Sequence, residues 1–232
     1  MRQMKYEIAI LRIFACILVI ISHLACLRVF DFAYPQWDKA NALYVARNAC
    51  VPLFLCITGI VSLNKEKKYS YYIKNSLKFF IIFLIFLFAF SLYRDRTPFN
   101  AGITLGGFIT IYRNGIYTQA HLWYLPLVAK LYLLIPILKK IVESEKVSRI
   151  YLGLWFWTCS IYPLIITIIN IFLVPDKPIL SDVIKQTLAQ TSFTELYAYS
   201  GFVILGYYLY NHFSKKINIF VLIGTNLAFI VA

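Results

Sequence analysis

Long apolar runs separated by short polar stretches are the dominant pattern of this chain. A helix needs about 20 largely apolar residues to cross a bilayer. Runs that meet the need lie at roughly 8–30, 44–63, 76–93, 121–141, 149–173 and 193–211, and a last run extends from about 217 to Ala232. Polar connections carrying Pro35, Asp38, Pro98, Asn100, Pro175 and Pro178 separate them. The expected fold is all-α: a polytopic transmembrane helix bundle of six spans plus a partial seventh, built as one domain over 1–232. The last run contains Asn226 and stops without a polar flank, so it reads as a chain cut inside a helix. The stretch 101–118 is apolar but short and Gly-rich. It is expected to be re-entrant or surface-lying, because irregular backbone is tolerated at membrane depth only beside protein or a cavity.

Composition agrees with a membrane setting. Of 232 residues 61% are hydrophobic and 14% charged, whereas soluble domains carry about a quarter charged residues. The net charge of +13 does not point to nucleic acid, because the basic residues sit in short clusters between apolar runs. Those clusters set the topology instead. Arg2 and Lys5, then Lys65, Lys67, Lys68, Lys74 and Lys78, then Lys139, Lys140, Lys146 and Arg149, then Lys215 and Lys216 all fall on one side if the N-terminus is cytoplasmic. The expected location is the inner or plasma membrane, multi-pass. The run after Lys5 is too long for a cleavable signal core and reads as an uncleaved anchor. The five cysteines form no CxxC pair and read as small apolar residues. The three histidines lie too far apart in sequence for metal-ligand spacing, so no metal is expected.

Arg12 and His23 stand inside the first apolar run with ten residues between them, none charged. Ionisable groups inside a span are costly and usually functional. Eleven steps of about 100° return the second side chain to within about 20° of the first, roughly 16 Å along the axis. A guanidinium suits an anionic phosphate or carboxylate, and an imidazole suits removing a proton from a hydroxyl near neutral pH. The pair describes a site that takes an anionic donor from the cytoplasm and serves an acceptor outside. The competing reading has His23 hydrogen-bonded within the bundle and Arg12 snorkelling to the inner surface. His121, at the outer start of the fourth run, reads as a second site residue or as an interfacial polar group. A transporter or exporter of a glycan or lipid-linked sugar would use a similar polar stripe, although no internal repeat is present.

Four motifs carry a family resemblance. Leu11-Arg12-Ile13-Phe14-Ala15 leads to Ser22-His23. Val51-Pro52-Leu53-Phe54 is followed by Thr58-Gly59-Ile60. His121-Leu122-Trp123-Tyr124-Leu125 precedes Leu131-Tyr132-Leu133-Leu134-Ile135-Pro136, and Leu205-Gly206-Tyr207-Tyr208-Leu209 comes last. In that order they resemble acyltransferase family 3, membrane-bound O-acyltransferases acting on extracytoplasmic glycans. Ala9 stands where that family usually has an acid. The resemblance implies an acyltransferase that uses acetyl-coenzyme A as donor and a cell-surface or lipid-linked glycan as acceptor. It implies Arg12 and His23 as the donor-handling and catalytic pair, with His121 as a further site residue. His23 would act as general base, either for direct transfer or within a route through an acylated protein. Lys74 and Lys78, at the cytoplasmic start of the third span, would either contact donor phosphates together with Arg12 or be ordinary positive-inside lysines.

Overall fold

The computed structural model describes residues 2–95, 120–165, 168 and 194–212. Within them the chain is α-helical and falls into two compact units, Met1–Lys65 with Leu138–Ala232, and Glu66–Ile137. By length and composition three described segments can cross a membrane: Tyr6–Cys26, Trp37–Leu63 and Tyr69–Ala89. The protein is an integral, multi-pass membrane protein. The expected runs at 101–118 and from 217 onward lie outside the described residues, as does most of the fifth run beyond 165.

In the first unit, α1 is a single helix, Arg2–Val29. Leu11, Ala15, Ser22, Ala25 and Val29 are buried, a stripe with steps of four, seven, three and four residues along one helix face. Ile13, Ile17, Ile20 and Leu24 are exposed on the far side, as an apolar helix face toward lipid requires. A turn follows, in which Asp31 Oδ1 accepts from the Ala33 amide at 3.2 Å. Trp37 Nε1 then donates to the Val29 carbonyl at 2.9 Å, giving one of the last carbonyls of α1 a partner.

The second span begins earlier than its apolar run. Asp38, expected in a connection, lies in the first turn of α2 (Trp37–Ala46), where a carboxylate complements the positive end of the helix dipole. A 3₁₀ turn at Arg47–Ala49 separates α2 from α3 (Cys50–Leu63). Pro52 accounts for the break. Its ring excludes the carbonyl four residues back, at Asn48, and it has no amide to donate there.

α6 (Glu145–Phe156) and α7 (Thr194–His212) complete this unit. Ser144 caps α6 by accepting from the Val147 amide. Ser148, 1% exposed, donates to the Ile141 carbonyl at 3.2 Å. Lys139 Nζ donates to the Lys65 carbonyl and clasps the chain leaving α3. The core forms where α3 crosses α7. A Cβ on Gly59 would overlap the Val203 carbonyl, and one on Gly206 would overlap the Cys56 backbone. Two glycines, one per helix, therefore permit backbone-to-backbone contact. Leu11 and Ala15 of α1 pack beside this crossing on Leu53, Cys56 and Ile57, flanked by Phe202 and Leu209.

Polar contacts bind α6 to α7. Trp155 is buried, its Nε1 donating to the Ala198 carbonyl at 2.8 Å, its ring edge-on to Phe202 at 4.8 Å. Tyr151 OH and Ser200 Oγ share a 2.7 Å hydrogen bond, and Ser200 also donates to the Tyr197 carbonyl at 2.9 Å. Interhelical hydrogen bonds in membranes contribute about 0.6 kcal/mol on average. Tyr151→Phe should therefore lower the thermal midpoint in detergent only slightly. A collapse of the fold would mean that this bond carries more than its chemistry suggests.

After Pro52 breaks the second span, a π turn at Trp157–Ile161 interrupts the run that follows α6, and helix resumes to residue 165. In the second unit, α4 (Tyr69–Asp95) buries Tyr72, Ser76, Phe83 and Leu87. The short turn Ala120–Trp123 leads into α5 (Tyr124–Val142), of which this unit holds the part up to Ile137. Phe83 and Leu87 pack on Leu122 and Leu125, and Phe79 stacks on Tyr132 at 5.5 Å. Pro126 takes the third position of α5, as Pro52 does in α3, where a missing amide costs least. α5 matches the expected fourth run and carries Lys130, Lys139 and Lys140.

Candidate functional site

Arg12 and His23 lie on α1, whose helix is unbroken from Arg2 to Val29. The helical repeat therefore holds between them, and the two share a face. That face is not the buried one. Leu11 and Ser22, each one residue earlier, belong to the packed stripe, whereas Arg12 and His23 are exposed. Among the described residues neither side chain is hydrogen-bonded or ion-paired, so neither is satisfied within the described bundle. Ser22 turns back on its own helix, donating to the Val19 carbonyl at 2.8 Å. The guanidinium and imidazole thus stand exposed beside the packed seam.

The sequence reading did not include the rest of this stripe. Cys16, Val19 and Cys26 fall at positions 4, 7 and 14 after Arg12, and the 4-3-4-3 spacing was the signal that could have found them. Cys16 is exposed and Cys26 half-buried, whereas Cys50 and Cys56 are buried. Cys16 therefore departs from the buried role that composition suggests. All five cysteines are free.

His121 sits in the Ala120–Trp123 turn, ahead of buried Leu122 and exposed Trp123. Lys74 and Lys78 are exposed on the first half of α4. These three residues belong to the second unit and the Arg12–His23 pair to the first. His212, at the end of α7, stacks on Tyr208 at 4.4 Å and stands 3.9 Å from Glu145 Oε1, which also pairs with Arg149 at 2.8 Å. It is exposed, as its helix-end position predicts.

Three of the four sequence motifs converge in the first unit. The Arg12 motif packs through Leu11 and Ala15 on the Leu53 segment, and the glycines of the second and fourth motifs, Gly59 and Gly206, each sit against backbone of the facing helix. The helix that carries the two ionisable groups is seated on this crossing through Leu11 and Ala15. Such a scaffold can present a cation to an anionic group and a base to a hydroxyl.

Residues 5–232 match a protein family described as an acyltransferase domain, acyltransferase family 3. No curated protein and no solved structure matches the chain.

Proposed function

Because the chain belongs to acyltransferase family 3 and its family transfers acyl groups, we propose that it moves an acyl group, most simply acetyl, from coenzyme A to a hydroxyl of an extracytoplasmic or lipid-linked glycan. The N-terminus is cytoplasmic in this reading, so Arg12 meets the donor near the inner surface and His23 lies past the midplane toward the acceptor. Arg12 binds an anionic group of the donor through its fork of N–H donors. His23 takes the proton of the acceptor hydroxyl, the oxygen forms an ester bond to the thioester carbonyl carbon, and the carbon–sulfur bond breaks. The thiolate then takes up a proton and leaves as free coenzyme A. From its place at the outer start of the fourth run, His121 falls on the acceptor side of the membrane in this reading.

The observation that carries the reading is that Arg12 and His23 share one continuous helix, on a face without internal partners among the described residues. Direct transfer is preferred to a protein-bound acyl group because it needs one base within about 3 Å of one hydroxyl. The test is labelled acetyl-coenzyme A added to sealed membrane vesicles containing the protein and its glycan. Label should appear in the glycan as an ester. Movement of unmodified glycan across the vesicle wall, with no label transferred, would instead establish an exporter.

A further inference from the structure

The segment that joins α1 to α2, residues 30–36, is short and pinned along its length. The Asp31 amide donates to the Arg28 carbonyl at 3.1 Å, the Tyr34 amide to the Asp31 carbonyl at 3.0 Å, and the Trp37 amide to the Tyr34 carbonyl at 3.0 Å. The bonds of the Asp31 carboxylate and the Trp37 indole tie it further. On this frame two large rings stand in the open, Phe32 at 80% and Phe30 at 70% exposure. Phe32 lies beside Trp37, with ring centroids 5.7 Å apart and planes inclined by 33°, so the pair makes one shallow aromatic surface. Phe30 is edge-on to Tyr44 of α2 at 6.0 Å. Single exposed hydrophobes are ordinary. Adjacent rings on a hydrogen-bonded loop are what a preorganised contact surface requires.

The chemistry around these rings fits a sugar better than a lipid surface. An interfacial belt is built from Trp and Tyr, whose polar tips reach water. Here Trp37 Nε1 is spent on the Val29 carbonyl, Tyr34 holds the Arg28 guanidinium over its ring at 5.2 Å, and the most exposed rings are phenylalanines, which have no polar tip. Nor is the loop basic. Exposed Arg28 and Lys39 are balanced by exposed Asp31 and Asp38, which leaves no net charge to draw anionic lipid. The C–H-rich face of a pyranose packs flat on an aromatic ring, and its hydroxyls donate to carboxylates or pair with a side-chain amide such as that of Gln36. Position agrees as well: Val29, the last residue of α1, is six residues past His23, about 9 Å along the axis.

We propose that Phe32 and Trp37 form a stacking platform for a sugar of the acceptor glycan, with Asp31, Gln36 and Asp38 taking its hydroxyls. The platform rests on the acyl-transfer reading, since it holds the glycan a short way beyond His23, but its test needs no donor. The full-length protein is immobilised in nanodiscs, and the probe is glycan extracted from the envelope of the cells it comes from, labelled at the reducing end. The wild type should retain the probe. Phe32→Ala should weaken retention roughly tenfold, as the loss of one anchoring ring does, and Phe32→Tyr should keep it. Phe156→Ala, which removes an exposed ring on α6, should leave retention unchanged. In the vesicle assay Phe32→Ala should raise KM for the glycan and leave kcat intact. No retention by the wild type, equal retention by Phe32→Ala, or an equal loss in Phe156→Ala overturns the platform. Glycan retained through Phe32 by a protein that transfers no label would instead remove the acyl-transfer reading and leave the platform standing, so the two failures are told apart.

Discussion

His23→Ala is expected to abolish acyl transfer while leaving membrane insertion and thermal stability unchanged. A positioned general base contributes about 10²–10⁴-fold to rate, and no other imidazole lies on α1. The stability half of the expectation follows from exposure. Among the described residues His23 makes no hydrogen bond, so its removal leaves no buried group unpaired, and surface changes of this kind usually fall within about 0.5 kcal/mol. The measurement is ester formation on the glycan with the thermal midpoint taken in parallel. Normal acylation in the variant removes the base role. A lost midpoint would show instead that His23 supports the fold. Arg12→Lys is the companion test: it keeps the charge and loses the bidentate fork, so it should raise KM for the donor more than it lowers kcat.

Gly206→Val is expected to be the most damaging change to the fold itself. A Cβ at Gly206 meets the backbone of Cys56, and backbone cannot rotate aside as a side chain can. The helices must separate, and the contacts of Leu53 and Cys56 with Leu11 and Ala15 loosen with them. Overpacking typically costs about 1–3 kcal/mol, and the figure here sits at or above that range because main chain is involved. The control is Gly153→Ala on α6. No atom lies within 4 Å of a Cβ built there, and alanine is favoured over glycine in a helix by about 1 kcal/mol. The first variant should fail to accumulate as a monodisperse protein, and the second should melt at or above the wild type. Equal behaviour of the two would show that the crossing is not as tight as its geometry.

The residues differ in how far their roles could be read in advance. Arg12 and His23 were legible because a charge in an apolar run is conspicuous, and because helical periodicity alone places residues eleven apart on one face. Which face of α1 packs inward was not legible. Nearly every position is apolar, so the pattern does not distinguish Leu11 and Ala15, which are buried, from Ile13 and Ile17, which are exposed. The onset of the second span was missed because Pro35 and Asp38 resemble a connection, whereas Asp38 serves a helix start.

The chain's own order of residues determined the membrane character, the helical class, the family motifs and the Arg12–His23 alignment, since each depends on local composition or on a fixed helical repeat. Only the tertiary structure decided that Gly59 and Gly206 sit at a backbone crossing, that this crossing seats α1, and that Lys74 and Lys78 face away from the core of their unit. Those outcomes depend on contacts between residues distant in sequence. No local pattern specifies which apolar face meets which, because in a membrane both lipid and protein are apolar partners and close packing makes the choice.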